Sequence, residues 1–316
     1  MEFGYALSSE EHAPLDLVRN ARAAEEAGFT FGLISDHIHP WVDAQGHSGF
    51  VWALLGAIAQ GTERFRIGTG VTCPLIRIHP AIIAHAAATT ACLMPGRFFL
   101  GLGTGENLNE HVTGAKWPAR DERVQMLEEA VEVIRLLWQG GYQTHRGKHY
   151  TVEDCRIFDL PDEPIELAIA AMKPKAAELA GRIGDALVNV APAEKIIDRF
   201  EDAGGKGKPK YGQITVCYAK SKDAAKKTAF EVWPNALVEG SASQELPLPT
   251  DFEQLTEGRD PDELDGTLTL GPDAEEYLQQ ISDYDEAGYT HIYFHQIGPD
   301  QGAFLKFARS ELFPRL

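Results

Sequence analysis

Short apolar segments alternate with amphipathic ones along the chain, and this alternation is typical of βα units around a parallel sheet. The segment 15–27 has the apolar spacing of a helix that ends at Gly28, and the strand-like segment 31–35 follows it. Eight apolar segments are predicted strands: 3–7, 31–35, 65–69, 98–102, 165–170, 186–190, 213–219 and 291–295. Eight βα units predict the α/β fold of a (β/α)₈ TIM barrel, whose functional residues follow the carboxyl ends of the strands. An open doubly wound sheet is the alternative.

Two segments interrupt the βα alternation. Residues 140–158 have flanking alternation around Arg146-Gly147, which predicts a β-hairpin outside the barrel. Residues 239–269 are polar and rich in Pro and Asp, and they predict an inserted lid or loop region. The remaining pattern continues from end to end, so we expect one barrel domain over 1–316.

A repeated helix ending supports the barrel. Residues 26–30 lead into the apolar segment 31–36, and the similar residues 286–290 lead into 291–296. This correspondence predicts two strands of equal length, with Asp36 and Gln296 at equivalent strand ends.

Charge and composition narrow the possible partners. The 316 residues are 44% apolar and 24% charged, as in a globular protein. With 29 basic and 47 acidic residues, the net charge of −18 disfavours nucleic acid and anionic lipid. The four cysteines are widely separated, which favours reduced thiols in a cytosolic protein. A secretion signal and an apolar run long enough for a membrane are not expected from this pattern.

The end of the second predicted strand carries the densest cluster of reactive side chains, in the sequence SDHIHPW. The imidazole of His37 is of the side-chain type that can take or give a proton near neutral pH. Trp41 offers an N–H donor and a flat apolar face, and Asp36 can orient an imidazole. The spacing of His37 and His39 also allows zinc, but no further Cys/His cluster accompanies it, so we expect no metal.

Three other strand ends are candidates for binding. The sequence GLGTGENLN from 101 to 109 contains a GxGxG, but it follows the fourth strand and lacks the other features of a dinucleotide-binding unit. Its glycines favour close packing against a flat ring, and Glu106 adds a carboxylate. Gly70 and Val71 mark the third strand end, as an ordinary turn or a support for a planar cofactor. Residues 170–176 combine two lysines with a helix start, which predicts an anion site.

Together these residues resemble the luciferase-like (β/α)₈ superfamily, and within it the coenzyme F420-dependent subgroup of glucose-6-phosphate and secondary-alcohol dehydrogenases. The resemblance extends over almost the whole chain. It is carried by SDHIHPW, GTGVTCPLIRIHPA, CLMPGRFFLGLGTGENLNE, AGRIGD at 180–185 and the last 26 residues, HIYFHQIGPDQGAFLKFARSELFPRL.

The resemblance implies roles for individual residues. His37 and Glu106 would transfer protons, and Trp41 would help to hold the substrate oxygen. The Gly70–Val71 bond matches a non-prolyl cis peptide behind the cofactor. The implied cofactor-binding residues are Asp36, Gly70, Val71, Cys73, Thr104, Gly105, Asn109, Met172, Lys173, Lys175 and Ala176. The family often has a small residue where this chain has Lys173.

The resemblance also implies a reaction, hydride transfer between the deazaflavin C5 and an alcohol or carbonyl compound. Sugar-phosphate members have a Thr and a Lys where this chain has Val190 and Ala193, and from 228 to 305 its one Lys or Arg is Arg259, among 17 acidic residues. We therefore expect an unphosphorylated small-molecule substrate and a cytoplasmic homodimer. The alternatives are a glucose-6-phosphate dehydrogenase, an FMN-dependent monooxygenase and a barrel that binds its cofactor without catalysis.

Overall fold

Eight parallel strands form a closed barrel in the computed structural model, which describes residues 1–238, 240 and 242–316. The strands are β1 (Glu2–Leu7), β2 (Phe31–Ile34), β3 (Arg66–Thr69), β4 (Phe98–Leu102), β5 (Gln143–Arg146), β6 (Thr151–Cys155), β7 (Glu166–Ala170), β8 (Ala186–Asn189), β9 (Lys210–Cys217), β10 (Thr269–Leu270) and β11 (His291–Gln296). The barrel order is β1-β2-β3-β4-β7-β8-β9-β11, and β11 pairs with β1 to close it. The predicted TIM barrel is confirmed, and the open-sheet alternative is wrong.

Helices alternate with the barrel strands, and further helices lie in the connecting segments. They are α1 (Pro14–Ala27), α2 (Val51–Gly61), α3 (Pro80–Leu93), α4 (Asn107–Glu110), α5 (Arg120–Leu137), α6 (Pro174–Ile183), α7 (Glu194–Phe200), α8 (Lys222–Val232), α9 (Ala242–Glu245), α10 (Pro249–Thr256), α11 (Ala274–Glu286) and α12 (Gln301–Phe307). Helix α12 changes to a π-helical turn after Phe307. No helix in the described part of the chain is both long and apolar enough to cross a membrane.

Aromatic side chains fill the barrel interior. Phe99 and Tyr211 stack with ring centroids 5.2 Å apart, and Phe31 meets Tyr211 edge-on at 5.4 Å. These rings belong to one buried cluster with Val188 and Tyr293. Because this packed layer closes the barrel from below, a ligand has access only above it, at the carboxyl ends of the strands.

The repeated helix ending is present, but the strands that follow it differ in length. Gly28 adopts φ 108° after α1 and Gly288 adopts φ 91° after α11, so both helices end through a left-handed glycine. Strand β2 has four residues and β11 has six, contrary to the predicted equality. The Ser35 hydroxyl bonds Glu10 just after β2 ends.

The two interruptions have distinct structures. Strands β5 and β6 pair antiparallel with a bulge, as the predicted hairpin requires. Within the segment predicted as an inserted lid or loop, residues 240 and 242–269 are described and include α9 and α10. Phe252 of α10 is buried against Val42 and Leu108, with Trp41 packed beside them, so this helix covers one side of the barrel mouth. The assignment of 1–316 to one domain stays a prediction.

Candidate active site

A cavity of about 290 Å³ opens at the carboxyl ends of the barrel strands. Its wall includes Leu7 at the end of β1, Ser35 after β2, Ala170 at the end of β7 and Asn189 at the end of β8. Seven sequence-predicted site residues line it: His37, Trp41, Gly70, Val71, Gly105, Glu106 and Met172. The fold therefore brings the predicted proton-transfer residues and the predicted cofactor platform to one cavity.

His37 has a defined proton arrangement. Its Nδ1 lies 3.1 Å from the carbonyl oxygen of His39, and a carbonyl only accepts, so Nδ1 donates this bond. The neutral ring therefore presents Nε2 as its basic nitrogen. The Trp41 ring lies 5.0 Å from the His37 ring, and Phe252 meets Trp41 edge-on at 5.3 Å. The Trp41 indole therefore lies between the His37 imidazole and Phe252 of α10.

Glu10 is a site residue that the sequence analysis missed. Its Oε1 lies 3.4 Å from Nε2 of His37, and its Oε2 accepts bonds from Ser35 and Ser8. Burial alone would raise the pKa of Glu10, but His37 and the Ser35 hydroxyl outweigh it and lower that pKa. The buried carboxylate is thus ionised and can stabilise a positive charge on His37.

A second Glu–His pair lies next to the first. His295 of β11 also lines the cavity, and its Nε2 lies 3.2 Å from Oε2 of Glu11. The Trp233 ring meets the His295 ring edge-on at 4.5 Å. The signal for both missed carboxylates is the Glu10-Glu11 sequence just after β1, because that strand lies between β2 and β11.

The Gly70–Val71 peptide bond is cis, as the resemblance implies. Two glycines of the GxGxG sequence are also required by the packing of the chain, and the expected close packing of this motif against a ring stays a prediction. A Cβ on Gly101 would lie 1.9 Å from the Thr69 carbonyl oxygen, and a Cβ on Gly103 would lie 2.7 Å from Cγ2 of Val71. These glycines let β4 approach the chain that follows β3, so that Val71 lines the cavity floor.

Asp36 lies behind the cavity wall. Its carboxylate accepts a 2.7 Å bond from Thr72 and a 2.9 Å bond from Arg77, and Arg77 also pairs with Glu110 at 3.3 Å. Burial raises the pKa of Glu110, and the contacts with Arg77 oppose that rise. This buried ion triad joins the loops that follow β2, β3 and β4. The sequence-predicted contact of Asp36 with a cofactor stays a prediction.

Asn109 is buried and only partly satisfied. Its Oδ1 accepts N–H bonds from Ile38 at 3.0 Å and His39 at 3.4 Å, whereas its Nδ2 has no hydrogen-bond partner among the described residues. Cys73 is buried against Gly105, where a Cβ would lie 2.5 Å from its Sγ, and burial raises the pKa of its thiol. Thr104 is half-buried in the same loop and, like Cys73 and Asn109, does not line the cavity.

The predicted anion site lies at the start of α6. Met172 is exposed and lines the cavity edge, whereas Lys173, Lys175 and Ala176 do not line it. Both lysines are exposed, and Lys173 is the residue that precedes the helix. An anionic group reaching out of the cavity past Met172 would meet the free N–H groups of this helix.

Carboxylates dominate the charge of the cavity wall. Glu10 and Glu106 line it, and no Lys or Arg is among the lining residues that the structure describes. Val190 lies in the wall, and Arg259 lines a separate groove and bonds Glu263. In the described part of the chain, no group of three or more His, Cys, Asp or Glu side chains could hold a metal ion.

The family model of the luciferase-like monooxygenases matches residues 1–291. The chain belongs to this family. A similar relative of this luciferase-like protein is the F420-dependent glucose-6-phosphate dehydrogenase of Beutenbergia cavernae, 34% identical over 327 residues that cover 100% of this chain and 97% of that protein.

Solved structures extend the comparison of the luciferase-like chain. An F420-dependent secondary alcohol dehydrogenase in complex with an F420-acetone adduct superposes with a TM-score of 0.91 at 30% identity, covering 99% of this chain and 98% of that one. The coenzyme F420-dependent tetrahydromethanopterin reductase of Methanopyrus kandleri has a TM-score of 0.78 at 21% identity, with 99% of both chains covered, which shows the shared fold.

Proposed function

We propose that the luciferase-like chain interconverts an alcohol and a carbonyl compound with coenzyme F420, and that its substrate is unphosphorylated. It is an F420-dependent oxidoreductase, as the glucose-6-phosphate dehydrogenases and the secondary alcohol dehydrogenase that it resembles are F420-dependent. The observation that carries the proposed reaction is the meeting of His37, Trp41 and Glu106 at one cavity.

The residues present fit a flat cofactor. Gly70, Val71 and Gly105 line the cavity and offer a surface with little side-chain bulk. The resemblance adds Asn109, whose buried Nδ2 has no hydrogen-bond partner among the described residues. The remaining cofactor-binding residues follow from the resemblance: Asp36, Cys73, Thr104, Met172, Lys173, Lys175 and Ala176. When bound, the deazaflavin exchanges a hydride with the substrate carbon through its C5.

The chain itself handles protons and orientation. His37 takes the hydroxyl proton at Nε2, the nitrogen left basic by its Nδ1 bond to His39. Glu10 stabilises the imidazolium that forms, because its carboxylate faces that nitrogen. The indole N–H of Trp41 orients the substrate oxygen, and Glu106 would exchange a proton with the bound cofactor.

The charge of the wall supports a neutral substrate. A buried phosphate dianion requires two or three charge-assisted partners, since an unpaired buried charge costs several kcal/mol. The described lining contains no Lys or Arg, and Val190 lies where sugar-phosphate members of the family have a polar residue. The second candidate is a glucose-6-phosphate dehydrogenase, which the names of the 34% identical relatives favour.

A substrate and cofactor screen tests the proposal. Purified protein is titrated with F420 and with FMN while its fluorescence is followed, and oxidised F420 is then reduced with secondary alcohols, neutral sugars and glucose 6-phosphate. We expect much tighter F420 binding and turnover of neutral alcohols. Turnover of glucose 6-phosphate alone would favour the second candidate, tighter FMN binding would favour a monooxygenase, and cofactor binding without any turnover would leave a binding barrel.

Two variants test the proton-transfer roles. His37→Ala and Glu106→Gln should each lower kcat by about a hundredfold, which is the usual contribution of a general acid or base. The F420 dissociation constant should remain nearly unchanged, because neither side chain is assigned a binding role. Wild-type kcat in either variant would remove that residue from the reaction.

The family resemblance further supports a cytoplasmic homodimer, which light scattering and fractionation would test.

A further inference from the structure

The Glu11–His295 pair is a buried polar unit with no role in the proton transfer described above. The side chains of Glu11 and His295 are 4% and 5% exposed, and their Oε2 and Nε2 atoms are 3.2 Å apart. The other carboxylate oxygen of Glu11 accepts a 2.9 Å bond from the Gly298 N–H, so both carboxylate oxygens of Glu11 have a hydrogen-bond partner. His295 is also packed against Trp233. The imidazole is therefore held in one orientation at the cavity wall.

The pairing determines which nitrogen of His295 carries the proton. A carboxylate only accepts hydrogen bonds, so Nε2 donates to Glu11 and Nδ1 of the neutral ring is an acceptor. Nδ1 has no protein hydrogen-bond partner among the described residues, and it is not among the fully buried polar atoms that lack a partner. Since His295 lines the cavity, a ligand hydroxyl has access to this nitrogen. An ether oxygen or a phosphate oxygen offers no proton to it.

The neighbouring wall carries further uncharged polar groups. Asn189, Gln213, Ser243 and Gln244 line the same cavity as His295. Gln213 directs its amide N–H to Thr215, which leaves its own oxygen able to accept. A wall of this composition matches a ligand with several hydroxyl groups better than a hydrocarbon or an anion.

We infer that Glu11 and His295 form a recognition site for a second hydroxyl of the substrate, and that the substrate is a neutral polyol or sugar. His295 accepts the proton of a hydroxyl that does not react, and Glu11 is the positioning residue that keeps Nδ1 an acceptor. This inference rests on the proposed alcohol oxidation and adds the substrate class to it. His37 remains the group at the reacting hydroxyl.

Three secondary alcohols and one ether test the inference: isopropanol, propylene glycol, sorbitol, and the propylene glycol methyl ether that keeps the secondary hydroxyl. In the wild type, kcat/KM for propylene glycol or sorbitol should exceed that for isopropanol and for the ether by about tenfold, the value of one hydrogen bond. His295→Phe keeps a ring against Trp233 but removes the acceptor. It should abolish this preference, so that kcat/KM for propylene glycol and sorbitol falls to about the value for isopropanol.

Glu11→Gln separates positioning from packing. Glutamine can accept the Gly298 N–H through its oxygen and must then offer its NH₂ to His295, which moves the imidazole proton to Nδ1. Nδ1 becomes a donor, so the discrimination against the ether should fall by about tenfold. The control is Glu2→Gln at the opposite end of the barrel, where Glu2 lies 3.7 Å from His291. It should not change the ratio of kcat/KM for propylene glycol to that for isopropanol or to that for the ether.

Imidazole nitrogen NMR of the cofactor-free protein provides a reading that does not depend on turnover. The His295 signals, assigned with His295→Phe, should show Nε2 protonated and shift at Nδ1 when sorbitol is added. A Nδ1-protonated His295, or equal kcat/KM ratios in wild type and His295→Phe, would overturn the inference and leave alcohol oxidation standing. If no alcohol is oxidised, the proposed function fails, and absence of a sorbitol shift would then remove the recognition site as well.

Discussion

Replacement of Glu10 by glutamine should slow the reaction without removing any group that touches the substrate proton. The variant keeps the size of the side chain, and its amide oxygen can still accept the Ser35 and Ser8 hydroxyls that now bond Oε2. It loses the negative charge 3.4 Å from Nε2 of His37. The imidazolium that forms when His37 takes a proton would then have no counter-charge at that nitrogen.

The magnitude follows from the separation and the burial. At an effective dielectric constant of about 20, two unit charges about 3.4 Å apart attract by roughly 5 kcal/mol before the cost of desolvation is subtracted. A hydrogen bond to a charged group contributes about 1.5–3 kcal/mol net, and we take this smaller range. At about 1.36 kcal/mol for each factor of ten, kcat should fall by roughly tenfold to a hundredfold. Because the folded pKa of Glu10 is lowered, its charge persists at neutral pH and the loss should appear from about pH 6 to about pH 8.

The assay is steady-state oxidation of the best neutral alcohol with saturating F420, over that pH range. The melting temperature at each pH is recorded as a check on folding. Glu2→Gln serves as the control, because it removes a carboxylate next to another imidazole far from the cavity. A Glu10→Gln enzyme with wild-type kcat and an unchanged melting temperature would refute the view that this carboxylate supports proton transfer to His37.

Three further predictions concern the cofactor loop, the strand packing and the response to acid. Replacing Lys173 and Lys175 together by alanine should raise the F420 dissociation constant at least about tenfold in a fluorescence titration, and unchanged affinity would place the phosphate site elsewhere. Gly101→Ala places a Cβ 1.9 Å from a backbone oxygen of β3 and should lower Tm by at least about 4 °C, whereas Gly56→Ala meets nothing within 4 Å and should not. Burial lowers the pKa of His12 despite the opposing charge of Glu11, so the unfolded state binds a proton at a higher pH than the folded state does. Stability should therefore fall as the pH drops through about 6.5, and Tm should fall less steeply in His12→Gln.

The strand order of the barrel was predictable because each strand is a short apolar run with a helix after it. The boundaries were less so. Strand β9 begins at Lys210, three residues before the predicted start. Lys210 is charged and therefore does not fit an apolar pattern, but it is buried in the structure because it pairs with Glu201. The helices α9 and α10 within 239–269 were also missed. Local periodicity is weak there, and α10 is stabilised by the packing of Phe252 on Val42 and Leu108.

The site was predictable where its residues share a short motif at one strand end. His37 and Trp41 are four residues apart, and Glu106 follows another strand of the same barrel, so the rule of strand ends was sufficient for all three. Glu11 and His295 are separated by most of the chain, and only the closure of β11 onto β1 brings them together. Separate inspection of each strand end cannot find such a pair.

Barrel closure also explains why two adjacent acidic residues support different imidazoles. Strand β1 pairs with β2 on one side and with β11 on the other, so the loop that leaves β1 lies between the loops that follow them. Glu10 turns towards His37 and Glu11 towards His295. Each imidazole therefore has its own carboxylate, and a protonated imidazole forms a neutral pair with it. With both imidazoles protonated, the described cavity wall still offers no net positive charge to a phosphate, and Glu106 leaves it negative. The pairing therefore supports the proposed neutral substrate, as does the absence of lysine and arginine from the described part of that wall.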